Sequence, residues 1–533
     1  MKFPKLLAAT LLLVSSAVFA ADPPAAISKL CDPYRSDASA GMVIGFQLGD
    51  DAPIFETCGM ADIANGIALT KDHPVNVGSL TKQFFAQALL NFVEADEISL
   101  NQDLMRFFPE APWAGQIKIK HLVSHMSGLR EHWAYWMLAK PKADTLADVV
   151  ALISSQDKLK FTPGSEFSYS NANYILIADI IQQLSGKKAR DYIVEHVLRP
   201  SGMEKSDFYA TFDALPETIA TAYTPSDTGF SAARQPLSNI IGDGGLYASA
   251  SEMLHWSRRY LDSAGAVRKT LLDNGNAVDY NRGVWLSTHA GCDQVEHGGS
   301  APGISSYMAV VTGCEETKKN LRVIILANSN GINAAAIAEQ VKTILLGDAH
   351  ARQFPAYRQS IVADPGRDFK PGRYAGFFNG QILMAKFSMD AGRLKMKTDK
   401  GERLFVKAAD GRFARADQPL VVAASSGENS IRMTYDTLAL AYLTLMPPEQ
   451  DSFDPSGRYE NSEALPLRIT IQSSKDGYVM KAAGRTLELK ALAAGIYQSE
   501  NGAYLLGFEK AEEGHIYLTL FHDSLGAEQL QRI

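Results

Sequence analysis

Ser79 and Lys82 are the residues of this sequence whose types and spacing most clearly could do chemistry. They belong to the run Ser79-Leu80-Thr81-Lys82, which precedes a strongly apolar stretch predicted to be helical over residues 83–93. Residues three positions apart share one face of a helix, so the hydroxyl and the amine would lie one above the other. A buried lysine can lose its proton near neutral pH and activate a hydroxyl. The pattern indicates a serine hydrolase that uses lysine as its base.

The Ser-x-x-Lys spacing alone has little specificity. Ser155 and Lys158 have it, and so do Ser185 and Lys188. A serine that caps a helix, followed by a surface lysine, produces the same pattern without any catalytic role. Other groups in the sequence must therefore distinguish Ser79 from these two copies.

Tyr169 and Asn171 form a second motif, at the start of a predicted helix. A phenol beside cationic groups can ionise and take a proton from a serine. An asparagine side chain can donate to and accept from a substrate amide. The same spacing recurs at Tyr459 and Asn461, inside a predicted β segment, where packing is the simpler explanation.

A third motif, His297-Gly298-Gly299-Ser300, lies in a late β-rich segment. The two glycines would let a substrate backbone approach a strand closely. The backbone N–H of Ser300 could pair with that of Ser79 as an oxyanion hole. Because an isolated histidine is more often structural than catalytic, this motif gains meaning only together with the first two.

The other histidines do not indicate a metal site. His121 and His125 are four residues apart, but the glutamate of the zinc-binding His-Glu-x-x-His motif is missing. We interpret both as capping or core residues. No metal and no cofactor is predicted.

The order of the three motifs resembles that of the serine β-lactamase and penicillin-binding-protein superfamily, in its class C-like branch. The phrases His-Leu-Val-Ser-His-Met-Ser-Gly-Leu at 121–129 and Gly-Asp-Gly-Gly-Leu-Tyr-Ala-Ser at 242–249 add to this likeness. The resemblance covers roughly residues 28–350. It implies an α+β catalytic domain in which an antiparallel sheet packs against helices.

The resemblance also implies a role for each motif. Ser79 would be the nucleophile and Lys82 its activator. Tyr169 would act as general base and leaving-group acid, with electrostatic support from His297. Asn171 would orient the substrate. The reaction would proceed through an acyl-enzyme that water releases.

The C-terminal third differs in composition and repeats itself. Short alternating runs indicate strands, and Gly-Arg-Tyr at 372–374 recurs at 457–459. Closed barrels would remove exposed sheet edges. The predicted organisation is a catalytic domain, a linker and two antiparallel, lipocalin-like β-barrel domains, which occupy residues 21–350, 351–370, 371–450 and 451–533.

The N-terminus predicts export. Lys2 and Lys5 precede an apolar stretch at 6–19, which is too short for a membrane span, and cleavage is expected before Ala21. We therefore expect a periplasmic or secreted bacterial protein, with no membrane attachment once residues 1–20 are removed; an uncleaved signal anchor is the alternative. The net charge of -7 gives no sign of the excess positive charge that is typical of proteins that bind nucleic acid.

Four cysteines follow the predicted signal peptide, which permits two disulfides in an oxidising compartment. Cys292 and Cys314 flank a strand-rich segment and could pair across it. The connectivity stays open, and free buried thiols are the alternative.

The three-domain layout looks like that of the bacterial D-aminopeptidases, which are serine peptidases. It implies a small peptide as substrate.

An esterase, a D,D-carboxypeptidase or a class C-like β-lactamase is the alternative within the superfamily. An ester substrate and acylation by β-lactams therefore stay open. A homodimer is also left open. A non-catalytic penicillin-binding or cell-wall-binding scaffold is the alternative of another class. In the D-aminopeptidases, a long loop of the last barrel reaches the active site and limits substrates to those with a free amine. The corresponding segment here, from Tyr497 to Leu506, looks too short to reach the active site. A requirement for a free amine in the substrate is therefore left open.

Overall fold

The computed structural model describes residues 23–132, 144–209, 215–226, 229–233, 240–262, 280–289, 291–314, 319–346, 371–378, 381–390, 393–398, 401–407, 413–414, 420–424, 430–435, 438–445, 455–460, 468–474, 477–482, 485–493, 496–499, 504–510, 516–522 and 526–532. The predicted signal peptide, the predicted linker and the loop tip at 500–503 lie outside the described residues.

A seven-stranded antiparallel sheet lies at the centre of the N-terminal part of the chain. Its strands are β1 (Met42–Leu48), β2 (Ile54–Cys58), β3 (Tyr280–Asn281), β4 (Val284–His289), β5 (Cys292–Ala301), β6 (Ile304–Thr312) and β7 (Leu321–Ala327). In space their order is β3-β4-β5-β6-β7-β1-β2. Strand β7 pairs with both β6 and β1, which places Ile325 between Tyr307 and Ile44. Early and late strands therefore close one sheet, as strands at both ends of this region predict.

Most of the helices lie in the sequence between β2 and β3. The helices are α1 (Pro23–Ser28), α2 (Lys82–Glu94), α3 (Ile119–Val123), α4 (Leu146–Ser154), α5 (Ala172–Ser185), α6 (Ala189–Ile193), α7 (Ala250–Trp256), α8 (Arg259–Asp262) and α9 (Ala334–Leu346). Tighter or wider turns are the 3₁₀ segments Lys29–Tyr34, Gly78–Thr81 and Arg199–Ser201 and the π-helical turn Val194–Leu198.

Short strands lie in the connections between β2 and α7. They are Met60–Asp62, Ile67–Ala68, Val75–Asn76, Asp207–Phe208, Tyr223–Ser226, Gly229–Ala232 and Leu246–Ala248. The strand Leu246–Ala248 pairs with Val75–Asn76, which directly precedes the Ser79 turn. The α+β arrangement of sheet and helices is the predicted one.

The central sheet separates two hydrophobic cores. Successive side chains of a strand point to opposite faces, so Val43 of β1 lies in the larger core and Ile44 in the smaller one. Helices α1 and α9 cover the smaller core, and the remaining helices cover the larger one. Burial of each such aliphatic side chain contributes about 1.5–3 kcal/mol. The larger core supports the candidate site.

Two disulfides join elements of the smaller core. Cys31 pairs with Cys58, and Cys292 pairs with Cys314. The first links the 3₁₀ segment Lys29–Tyr34 to β2, and the second closes the hairpin of β5 and β6. The pairing of Cys292 with Cys314 is confirmed. Loops of 27 and 22 residues are closed, and each closure stabilises the fold by about 3 kcal/mol on the chain-entropy model.

From residue 372 onward, the described elements are strands. The first group is Gly372–Phe378, Gln381–Asp390, Arg393–Thr398, Gly401–Lys407, Phe413–Ala414, Leu420–Ala424, Ser430–Tyr435 and Leu438–Leu445. The second group is Gly457–Glu460, Arg468–Ser474, Gly477–Ala482, Arg485–Ala493, Ile496–Ser499, Leu505–Lys510, Ile516–His522 and Gly526–Arg532. In each group the strands pair in chain order, and the first strand also pairs with the last.

The second group of strands packs against the helical layer. Leu152 of α4 belongs to the same buried cluster as Tyr459 and Leu506. The interior of this strand group therefore continues into a contact with the catalytic part of the chain.

Two local predictions need correction. The helical pattern of Ser251–Tyr260 predicts one helix, but the structure has two, α7 and α8, because the Ser257 hydroxyl donates to Leu254 O at 2.7 Å at the point where α7 ends. Ser79 lies on a 3₁₀ turn rather than on the α-helix itself. The sequence also predicts a strand over Leu321–Ala327 and a helix over Ala334–Leu346, and the structure has both with these bounds. Within the described ranges, no helix has the length and apolar composition needed to cross a membrane.

Candidate active site

Ser79 lies on a tight turn between the sheet and the helical layer. The 3₁₀ turn Gly78–Thr81 runs directly into α2. Gly78 has φ +54°, a left-handed conformation that favours glycine, and a Cβ atom there would lie 2.7 Å from the backbone nitrogen of Ser300. The turn therefore approaches β5 as closely as backbone atoms allow.

Lys82 is the first residue of α2, and none of its surface is exposed. Its Nζ lies 3.0 Å from Ser79 Oγ, 2.7 Å from Asn171 Oδ1 and 2.6 Å from the backbone oxygen of Asp243. The amide and backbone oxygens can only accept. A neutral lysine would give them its two N–H groups and keep its lone pair for the Ser79 hydroxyl. The arrangement suits Lys82 as the base that activates Ser79.

Tyr169 is held beside this pair with its hydroxyl available. Its ring centroid lies 5.1 Å from Lys82 Nζ. The ring stacks on His125 at 4.1 Å, and burial holds the pKa of His125 well below its ordinary value, so this imidazole is neutral. The Tyr169 hydroxyl is buried and has no hydrogen-bond partner among the residues that the structure describes. A buried hydroxyl without a partner is costly, which favours a reacting group as its partner.

His297 lies on β5 as a neutral ring of defined tautomer. Its Nδ1 contacts the backbone oxygen of Gly298, which can only accept, so Nδ1 carries the proton. Burial, with a smaller contribution from the nearby Lys82, lowers the pKa of His297 to about 3. Its Nε2 is thus an acceptor, and it lies 3.1 Å from the hydroxyl oxygen of Tyr280. His297 contacts Tyr280 directly, whereas its ring centroid is 6.1 Å from that of Tyr169.

The third motif places backbone N–H groups at the junction of β5 and the Ser79 turn. A Cβ atom on Gly299 would lie 2.2 Å from Val77 O and 2.3 Å from Ser306 Oγ. Ser306 Oγ donates to Val77 O at 2.8 Å, which fixes the turn against β6. The N–H groups of Ser79 and Ser300 lie at this junction, where they can form an oxyanion hole.

Asn171 connects Lys82 to a buried acid. Its Oδ1 accepts from Lys82, and its backbone N–H donates to Glu131 Oε2 at 2.7 Å. The Glu131 side chain is almost fully buried, and its Oε1 lies 3.1 Å from His132 Nδ1. A carboxylate therefore lies one residue away from the Ser79–Lys82 pair.

The structure brings the predicted site residues together, with Ser79, Lys82, Tyr169 and Asn171 within one cluster and His297 at its edge. The two copies of the Ser-x-x-Lys spacing lie elsewhere: Lys158 and Lys188 are exposed.

Four contributors were missed from the sequence: Glu131, Asp243, Tyr280 and the stacking role of His125. The sequence gives a signal for three of these residues, because His125 and Asp243 lie within the segments 121–129 and 242–249 that resemble the family, and Glu131 lies just after the first of them. Tyr280 has no such signal, because it is one of 20 tyrosines and only packing places it beside His297.

The beta-lactamase family model matches residues 30–345. The chain belongs to the beta-lactamase family. Among curated relatives of this beta-lactamase-family protein, a D-aminopeptidase from Gluconobacter oxydans is 29% identical over 346 residues, which span 62% of each chain. A D-aminopeptidase from Brucella anthropi is 26% identical over 472 residues, 85% of this chain and 79% of that one. Together these matches identify a serine hydrolase.

Solved structures show the same fold for this beta-lactamase-family protein. A D-amino acid amidase from Ochrobactrum anthropi aligns with a TM-score of 0.52 at 23% identity and covers 61% of this chain and 98% of its own. An octameric penicillin-binding protein homologue from Pyrococcus abyssi aligns with a TM-score of 0.54 at 18% identity and covers 79% of this chain and 100% of its own.

Proposed function

We propose that this protein is an exported serine peptidase that cleaves amide bonds through an acyl-enzyme and releases N-terminal D-residues, as a D-aminopeptidase does. The observation that carries the proposal is the contact of the fully buried Lys82 amine with Ser79 Oγ at 3.0 Å. Two curated relatives named D-aminopeptidase support the choice of substrate.

In the proposed acylation, Ser79 Oγ attacks the substrate carbonyl carbon and its proton passes to Lys82 Nζ. The oxyanion that forms accepts hydrogen bonds from the N–H groups of Ser79 and Ser300. Tyr169 gives its proton to the leaving amine as the C–N bond breaks, and it is reprotonated from Lys82. Water then hydrolyses the ester on Ser79 by the reverse proton transfers and releases the acid.

The neutral state of His297 favours substrates without a carboxylate at this position. With a pKa of about 3, the imidazole carries no positive charge near pH 7. A neutral ring provides little attraction for the carboxylate of a β-lactam or of a D-Ala-D-Ala terminus. Efficient β-lactamase and carboxypeptidase activities are therefore less well supported than cleavage of amides.

The buried Glu131 supports recognition of a free amine. Its carboxylate lies next to Asn171, which contacts the catalytic lysine. A substrate ammonium in this region would meet a negative charge in a poorly solvated environment, where charge complementarity is strong. Residues 500–503, within the segment from Tyr497 to Leu506 on which the expectation about free amines depends, lie outside the described residues.

We also propose that the two C-terminal strand groups form lipocalin-like barrel domains, with the domain boundaries 371–450 and 451–533. Two disulfides support an oxidising compartment and hence export. β-Lactams remain candidate acylating ligands of Ser79.

A substrate panel tests the proposal. The panel comprises D-alanyl p-nitroanilide, its L-alanyl and N-acetyl-D-alanyl counterparts, an acyl-D-Ala-D-Ala peptide, p-nitrophenyl acetate and a chromogenic cephalosporin. The free-amine D-anilide should have the highest kcat/KM, and Ser79→Ala should abolish its cleavage. Cleavage of the ester alone would refute the peptidase assignment, and no turnover together with no labelling of Ser79 by a fluorophosphonate would favour a scaffold.

A further inference from the structure

Tyr280 occupies a position inside the candidate site that the three sequence motifs do not explain. It lies on the two-residue strand β3, where it pairs with Trp285 of β4, and none of its surface is exposed. Its ring packs 4.6 Å from that of His125 and 4.9 Å from that of Trp285. The ring is therefore immobilised, and its hydroxyl is directed at His297 Nε2, 3.1 Å away.

The direction of this hydrogen bond is determined by the surroundings. Because His297 Nδ1 contacts a carbonyl oxygen, Nε2 has only a lone pair to offer. Burial raises the pKa of Tyr280 well above its ordinary value, and the neighbouring Tyr174 and Tyr169 raise it further. Tyr280 thus keeps its proton and donates it to His297. The lone pair of His297 Nε2 accepts from Tyr280 and is therefore not available to the Tyr169 hydroxyl.

Tyr280 contacts both His297, through its hydroxyl, and Tyr169, through its ring. The rings of Tyr169 and Tyr280 meet edge to face with centroids 5.8 Å apart. We propose that Tyr280 is a positioning residue for the reaction at Ser79: its hydroxyl bonds to His297, and its ring, held in this way, packs against Tyr169 and fixes where the Tyr169 hydroxyl lies. This inference rests on the proposed function.

The test measures the rate at which a fluorophosphonate labels Ser79 in the full-length protein, so it needs no knowledge of the natural substrate. Tyr280→Phe keeps the ring and removes the hydroxyl. We expect labelling to slow by about tenfold or more, within the range for a group that aligns a proton-transfer partner. His297→Gln should slow it to a similar extent. The double variant should be little slower than either single variant, because both changes break the same hydrogen bond between Tyr280 and His297.

Tyr260→Phe is the matched control. Tyr260 is also buried, its hydroxyl donates to Gln83 Oε1 at 2.8 Å, and its pKa is raised to about 12 by burial. Removal of the Tyr260 hydroxyl should lower the melting temperature about as much as Tyr280→Phe does, without slowing the labelling of Ser79. With the best anilide substrate, Tyr280→Phe should lower kcat and leave KM nearly unchanged.

The outcomes separate the two proposals. Labelling of Tyr280→Phe at the wild-type rate, or fully multiplicative effects of Tyr280→Phe and His297→Gln, would overturn the positioning role while leaving the serine hydrolase intact. If the wild type is not labelled at all, the proposed function itself fails. Equal slowing in Tyr260→Phe would show that the effect is one of general stability and would also overturn the inference.

Discussion

Lys82 Nζ lies 3.0 Å from Ser79 Oγ although no part of the Lys82 side chain is exposed to solvent. The buried amine is therefore placed to accept the proton of the serine hydroxyl. The two remaining contacts of Nζ, with Asn171 and Asp243, hold the amine in place. This relationship distinguishes Ser79 from the other serines that have a lysine three residues later.

Lys82→Ala and Ser79→Ala should each reduce kcat/KM for the best substrate by at least about 10³-fold, because each removes a group that acts directly on the reacting atoms. The chain provides its own control pair. Ser185→Ala and Lys188→Ala alter the same spacing at an exposed helix end and should leave kcat/KM unchanged. Steady-state kinetics on the four variants decides the matter. A Lys82→Ala variant with near wild-type activity would eliminate lysine as the base.

Substitutions at the two adjacent glycines of β5 should differ greatly in their effect on kcat. An added Cβ at Gly299 would lie 2.2 Å from Val77 O, so β5 must move away from the Ser79 turn. We expect Gly299→Ala to lower kcat by about 10²–10³-fold, as the loss of an oxyanion-hole donor does. Gly298→Ala meets nothing closer than 3.7 Å and should be nearly silent. Similar kcat values for both variants would argue against an oxyanion hole at this junction.

Glu131→Gln should selectively impair free-amine substrates. The amide oxygen can still accept from the Asn171 N–H, so the local structure is kept while the negative charge is lost. We expect kcat/KM for D-alanyl p-nitroanilide to fall by about tenfold or more, in line with the loss of one partner of a buried charge pair. The ester p-nitrophenyl acetate, which has no amine, should be hydrolysed as before. A parallel fall for both substrates would indicate a structural role instead. The exposed Glu110→Gln serves as the control.

The stability of the protein should decrease in mild acid partly because of His297. Its folded-state pKa of about 3 lies below the ordinary 6.5. Above pH 6.5 the ring is neutral in both states, and it contributes no pH dependence. Below pH 6.5 the unfolded chain binds a proton that the folded protein does not, so the free energy of unfolding falls until about pH 3. By linkage, this residue should account for a loss of about 2 kcal/mol between pH 7 and pH 5.

Urea unfolding of the wild type and of His297→Asn at pH 7 and pH 5, followed by tryptophan fluorescence, measures this contribution. Burial also lowers the pKa of His121 and is the largest cause of the low pKa of His125. His297→Asn leaves the burial of both rings in place, so most of their contribution cancels in the comparison. The wild type should lose about 2 kcal/mol more than the variant. An identical pH dependence in the two proteins would mean that His297 is not held neutral by the fold.

The sequence by itself determined the local features of the site. Helix periodicity predicted α2, and the three-residue spacing placed Ser79 and Lys82 within one turn, because backbone hydrogen bonds and sterics act over a few residues. The adjacent glycines Gly298 and Gly299 predicted a close approach of another backbone to their strand. Gly299 makes such an approach, to the backbone of Val77. The strand Leu321–Ala327 was predicted from its apolar run, which is typical of a strand buried on both faces.

Only the tertiary structure decided which of the distant groups act together. The contacts of Lys82 with Asn171 and with Asp243 span 89 and 161 residues, and no local rule relates such positions. Tyr280 reaches His297 because β3, β4 and β5 lie side by side in the sheet, a consequence of strand pairing that periodicity does not reveal. The neutral state of His297 likewise comes from burial by the whole domain, since the free side chain has an ordinary pKa near 6.5.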